Sequence, residues 1–136
     1  MCGPESCPDC GGQMIFVGEK PWCFKYGEES VELTANIPLW ECKDCGFAWT
    51  DGRGAMLEHE AVCRHLGVLT PHEVRELRER HGLTQGELAQ LTGFGVRSIK
   101  RWERGALVQN PSADRFLRLI DDAEVMNKLR KLAEQN

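Results

Sequence analysis

The chain has 136 residues, enough for one ordinary domain or two small ones. Its 41% hydrophobic and 28% charged residues are those of a soluble globular protein, and no apolar run approaches the roughly 20 residues of a membrane span. The formal net charge of -4 excludes a uniformly basic surface, so any contact with a polyanion must be a matter of local charge.

The opening MCGPESCPDC has neither the basic start nor the apolar stretch of a secretion signal, which predicts a cytoplasmic protein with no membrane partner and reduced thiols. All seven cysteines fall between Cys2 and Cys63, and their odd number argues against a disulfide framework. Charge divides at the same place. Residues 1–66 carry five Lys/Arg against eleven Asp/Glu, and residues 67–136 carry twelve against ten. Two domains are expected, 1–66 and 67–136, in an α+β arrangement with a small β-rich metal domain first and an all-α domain second.

Cys7-Pro-Asp-Cys10-Gly and Cys42-Lys-Asp-Cys45-Gly are two Cys-x-x-Cys turns with 31 residues between them. The two-residue gap lets both thiolates of a turn point at one ion, and the following Gly accepts the positive-φ backbone. Four sulfurs make the tetrahedral set that suits zinc, one per chain and structural. Iron in a rubredoxin-like centre fits the same turns; the attached domain favours zinc. With its four positions filled, the metal has no open site for catalysis, and no nucleophile–base pair occurs elsewhere. No enzyme is expected. Cys2 is a weak candidate as a replacement ligand. Cys23 and Cys63 read as small buried hydrophobes.

Between the turns, Gln13–Val17, Trp22–Tyr26, Ser30–Thr34 and Ile37–Trp40 read as short strands, with Lys20-Pro21 and Gly27-Glu28-Glu29 as turns. Trp22, Phe24 and Tyr26 alternate with Cys23 and Lys25 in the period of a half-buried strand. Glu28, Glu29, Glu32 and Glu41 form a solvated face or a docking surface for a basic partner. A linking helix is expected over 54–66, with Met56, Cys63 and Leu66 on one side and His59 and His65 on the surface.

Thr70-Pro71-His72-Glu73 is a capping box with Pro at the first helical position, and it opens a helix to about His81. Thr84-Gln85-Gly86-Glu87 is a second box, for a helix ending at Gly93. A third helix covers Val96 to Arg104, a fourth opens at Asn110-Pro111 and runs to about Ile120, and a fifth follows Asp122 over Ala123 to Glu134. The second and third, joined by a tight Gly-containing turn, make a helix-turn-helix within five helices.

LTQGELAQLTGFGVRSIKRWERG, from Leu83 to Gly105, resembles the Xre/Cro-type helix-turn-helix pattern. The whole layout, two Cys-x-x-Cys turns, a linking helix and this domain ending in PSADRFLRLID, resembles the MqsA/YgiT family of antitoxins. That resemblance implies a zinc domain that binds and neutralises a small toxin, a basic ribonuclease by expectation, and a second domain that dimerises and represses its own operon on double-stranded operator DNA. The likeness to Xre-type domains implies a phosphate contact for Gln85.

The recognition helix is readable on its own. At about 100° per residue, Ile99 and Trp102 share the inner side, while Arg97, Lys100, Arg101 and Arg104 gather on the other. Arg97 and Arg101 are assigned to base edges, most naturally guanine O6/N7, Lys100 and Arg104 to phosphates, and Val96 to a thymine methyl. Gly95 gives that helix no side-chain cap. In the last helix, Val125, Met126, Leu129, Leu132 and Ala133 lie on one stripe. With Phe116, Leu117 and Ile120, this stripe packs on its own domain or forms a dimer seam, with Phe116, Ile120, Val125 and Leu129 as the seam residues. A zinc-containing Xre-type regulator without a toxin is the alternative function.

Overall fold

The computed structural model describes residues 5–135, so Cys2 lies outside the described residues. The chain divides into two compact units between Val62 and Cys63.

The first unit is built on one long antiparallel hairpin. Strand β1 (Met14–Tyr26) pairs with β2 (Val31–Cys42) from Tyr26↔Val31 at the tip to Met14↔Cys42 at the base, with a bulge between Phe16 and Gly18. A short β3 (Ala48–Trp49) adds to β2 through Trp40↔Trp49, giving the order β1-β2-β3. The tip turns at Gly27 and Ser30, both at positive φ, with Ser30 N–H donating to the Gly27 carbonyl at 3.1 Å.

Two long strands therefore replace the four short ones expected. Lys20-Pro21 is no turn: Pro21 sits within β1 opposite Asn36. An edge strand tolerates proline because a missing N–H costs nothing on the solvent side. Ser30 belongs to the turn and not to a strand. Cys23 is exposed, not buried, with its sulfur 3.5 Å from Thr34 Oγ1. It shares a face with Lys25, whereas Trp22, Phe24 and Tyr26 are half-buried on the other.

Burial in this unit concentrates at Ile37, Pro38, Leu39 and Trp40. Four buried residues in succession mean that β2 is covered on both faces there. A row of rings crosses the sheet: Phe16 lies 4.8 Å from Trp40, and Trp40 lies 5.3 Å edge-on from Trp49. Thr50 Oγ1 donates to the Pro38 carbonyl at 2.7 Å, just before helix α1 (Gly52–Leu66). Gly54 is buried, and a Cβ there would collide with the Thr50 side chain.

On α1, Val62 and Cys63 are buried, but Leu66, expected beside them, is 45% exposed at the helix's last residue. His59 is half-buried where a surface ring was expected. Its Nε2 has no partner among the described residues, and burial holds its pKa below the usual histidine value. His65 is exposed.

The second unit contains α2 (Pro71–Arg80), α3 (Gln85–Thr92), α4 (Val96–Glu103), α5 (Pro111–Ile120) and α6 (Ala123–Glu134). Both capping boxes form, at Thr70/Glu73 and Thr84/Glu87, each satisfying two amides that the helix leaves unbonded. Gly93, at φ 84°, ends α3 in the left-handed region and starts the turn into α4. Asn110 and Asp122 cap α5 and α6.

Val74, Leu77, Leu83, Leu88, Ile99, Trp102, Ala113, Leu117, Ile120 and Met126 form one core. Phe94, in the turn before α4, meets both Trp102 (5.1 Å) and Phe116 (5.5 Å) edge-on. Ile120 and Leu117 are wholly consumed by this core, so Ile120 has no surface to offer a dimer seam. Phe116, Val125 and Leu129 are half-buried against the same core. The apolar side chains most exposed on the last two helices are Leu119 and Leu132, at 61% and 60%.

One buried polar cluster lies outside any sequence pattern. Asp114 accepts from Leu69 N–H (2.7 Å), Gln109 Nε2 (3.1 Å) and Arg118 Nε (2.8 Å). Gln109 also donates to the Leu69 carbonyl, and Arg118 to that of Gly67. The segment before α2 is thereby fixed to α5.

Candidate metal centre and nucleic-acid interface

Cys7, Cys10, Cys42 and Cys45 come together with their sulfurs within 4.8 Å of one another. The hairpin causes this, because the Met14↔Cys42 pairing brings the second turn onto the first, and Lys43 N–H donates to the Gln13 carbonyl at 2.9 Å. Each turn closes in the same way. Gly11 N–H bonds the Cys7 carbonyl and Gly46 N–H the Cys42 carbonyl, and both glycines have φ 76°. That φ is strained for a side chain and free for glycine. Gly12 has a different reason: a Cβ there would strike the Asp44 carboxylate and come within 3.0 Å of Cys42 Sγ.

Backbone amides aim at the sulfurs. Asp9 N–H reaches Cys7, Gly12 N–H reaches Cys10 and Asp44 N–H reaches Cys42, each at 3.4 Å. The Cys45 amide lowers the Cys42 thiol to about 7 against the opposing effect of burial, and the Asp44 amide adds to it. Cys10 accepts the Gly12 amide, yet the neighbouring thiols of Cys42, Cys45 and Cys7 push it up to about 12. The sulfurs crowd one another too closely to ionise together on their own, and a divalent cation between them removes that conflict.

Sulfur–sulfur contacts of 3.7 Å (Cys7–Cys45) and 3.4 Å (Cys10–Cys42) are too long for disulfides, of about 2.05 Å. They match the edge of a sulfur tetrahedron around zinc, roughly 3.8 Å for a 2.3 Å bond. The four cysteines are therefore a group able to hold a metal ion. Cys63 is buried in α1 as expected and belongs to no such group among the described residues.

On α4 the two faces separate fully. Ile99 and Trp102 are 0% and 5% exposed, whereas Arg97, Lys100, Arg101 and Arg104 are exposed and line one shallow depression of about 270 Å³. Val96 is exposed at the start of the helix, and Gly95 precedes it with no side-chain cap. Gln85, at the start of α3, is half-buried and lies close enough to Glu103 to help hold that carboxylate ionised.

Glu103 was not foreseen. Its carboxylate is buried and accepts from Arg78 at both oxygens (2.8 Å each) and from Arg75 (3.4 Å). Burial, the largest single influence, pushes its pKa up, but Arg78 together with Gln85 and Arg75 outweighs burial and holds it below the usual carboxylate value. Arg78 also donates to the Leu83 carbonyl at 2.9 Å. One carboxylate thus ties α2, the start of α3 and the end of α4 together. The signal lay in the spacing: Ile99, Trp102 and Glu103 fall at i, i+3 and i+4, which puts Glu103 on the inner face.

Fold and site together define a DNA-binding regulator of the helix-turn-helix class that carries a four-cysteine group in a separate β-rich unit. A helix-turn-helix family model matches residues 74–121. The chain is 32% identical over 129 residues to Antitoxin MqsA of Escherichia coli (strain K12), a match covering 91% of this chain and 98% of that protein. The chain belongs to the MqsA antitoxin family, a family of antitoxins and transcription regulators and not of enzymes. No helix among the described residues is long and apolar enough to cross a membrane.

Proposed function

We propose that the chain is the antitoxin of a toxin–antitoxin pair and a repressor of its own operon, cytoplasmic, with a structural zinc ion in the first unit. Cys7, Cys10, Cys42 and Cys45 would hold the ion, whose chemistry here is charge neutralisation and cross-linking of the two turns. The N-terminal domain, residues 1–66 with the linking helix, binds a small basic toxin; the C-terminal domain, 67–136, binds operator DNA as a homodimer. The two-fold arrangement matches palindromic half-sites about one helical turn apart.

The observation that carries the DNA reading is the four-cation face of α4, exposed opposite the buried Ile99 and Trp102. Arg97 and Arg101 read bases, Lys100 and Arg104 hold phosphates, and Val96 meets a thymine methyl. Gln85, half-buried at the start of α3, donates an amide N–H to a phosphate.

Arg101→Ala is expected to cost about 1–3 kcal/mol of operator affinity and to relax specificity at one base pair. Lys100→Ala is expected to weaken binding to all sequences alike and to flatten the salt dependence. Gel-shift titrations against the promoter of its own operon check both. Unchanged affinity for Arg101→Ala would remove the assignment of the reading face.

A further inference from the structure

The antitoxin reading calls for a toxin-docking surface, and the first unit offers one in the outer edge of β1. This strand pairs on one side only, since the sheet order is β1-β2-β3. At its start, Ser6 bridges Gln13, and in its middle Pro21 removes a donor. Between these lies an edge of six residues, Ile15 to Lys20, with no backbone partner on its outer side among the described residues.

That edge is unusual in composition. Natural edges are blunted by charge, proline or a bulge. Here the bulge at Phe16/Gly18, then Glu19, Lys20 and Pro21, blunt the far end. The near end is apolar, with Ile15 41% and Phe16 39% exposed on opposite faces. Phe16 is also the outermost ring of the row Trp49–Trp40–Phe16, whose inner member is 5% exposed. The row stops at the edge with a half-open ring, where one more strand would extend it.

We propose that the toxin docks by adding an extended segment to the β1 edge at Ile15–Lys20. The proposal rests on the toxin-binding reading given above. The incoming strand would set an apolar or aromatic side chain against Phe16 and a Lys or Arg toward Glu19. The acidity of this half of the chain, eleven Asp/Glu against five Lys/Arg, favours a basic partner. The bulge, the charges and Pro21 disfavour the longer self-pairing that a second copy would make, and leave room for a short strand from a different protein.

The test uses the full-length protein and the purified product of the adjacent small basic reading frame. Ile15→Glu separates the two ways of docking. A surface held only by charge attracts a basic partner at least as well with one more carboxylate, whereas strand addition buries that carboxylate. The expected result is a loss of affinity of at least about tenfold, with Glu28→Lys/Glu29→Lys at the hairpin tip changing it less.

Hydrogen exchange on the wild-type complex gives a second readout that does not depend on a variant's folding. The amides within Ile15–Lys20 that point away from β2 slow on binding, while those of Gly27–Ser30 do not; the alternate amides, bonded to β2, are slow in both states. Unchanged exchange at Ile15–Lys20, or full affinity in Ile15→Glu, overturns strand addition and leaves the antitoxin reading standing. Slow exchange of those outward-facing amides already in the free protein means that the edge is occupied by another part of the chain or by a second copy, and it too overturns the proposal. If the wild-type protein binds no neighbouring product at all, both readings fall.

Discussion

The two units are close in length and are held by different forces. In the helical unit, Val74, Leu88, Ile99, Leu117 and Ile120 are fully buried, and side-chain caps open four of the five helices. In the β-rich unit, Ile37 is the large side chain buried to that degree. Its remaining long-range order passes through one long hairpin with a two-residue third strand, a row of three rings and four sulfurs, and a hairpin alone is marginal in water. The lesson is that burial and ligation are exchangeable means of closing a small domain. Here one chain uses each in turn.

The largest expected effect breaks the comparison open. Chelation, or Cys42→Ser, is expected to remove a metal contribution of about 10–16 kcal/mol and unfold the first unit. The second is expected to keep its helical circular dichroism and its operator binding. A single cooperative loss of both signals would show that the units do not stand apart.

The next effect falls on the helical unit alone. Glu103→Ala, which strands the half-buried Arg78, is expected to cost about 3–5 kcal/mol in urea melts without changing metal content. Because the folded pKa of Glu103 lies below its unfolded value, its stabilisation is complete above the usual carboxylate range and is lost as pH falls through the lower folded value. Wild-type melts between pH 5 and about pH 3 should show that loss, and Glu103→Gln should flatten it.

Thr84→Ala is a smaller perturbation. It removes half of a capping box and is expected to cost about 1 kcal/mol, read as a shift in the thermal midpoint of the helical unit. Smallest of all, and of opposite sign, is Gly95→Ser. Gly95 has the extended backbone of a cap residue and space for a side chain, with Ser98 Oγ 3.8 Å from a built Cβ. A gain of a few tenths of a kcal/mol is expected.

What could be read from the sequence follows the range of the interactions. Thr70, Thr84, Asn110 and Asp122 each act within three residues, so the helices of the second unit were legible to within a residue at most ends. The two cysteine turns were legible for the same reason, and so was the four-cation face of α4. The hairpin was not, because Pro21 signals a turn locally and its place on an edge is set by β2, which lies beyond the tip. Cys23 was misplaced although its alternation with Trp22 and Phe24 already put it on the wet face. The Asp114–Leu69 bond joins residues 45 positions apart, and no local pattern announces it.

Bringing two cysteine turns together across a free loop of 31 residues costs about 3 kcal/mol in closure entropy, and the zippering of β1 with β2 covers that distance in small steps. A ribbon can zip wrongly. A slip of one residue flips every side chain of β2 to the opposite face and turns Cys42 away from Cys7 and Cys10. An ion that needs four sulfurs rewards only the register in which Met14 faces Cys42. The metal centre would then work as a proofreader, rejecting misaligned hairpins by failing to bind them.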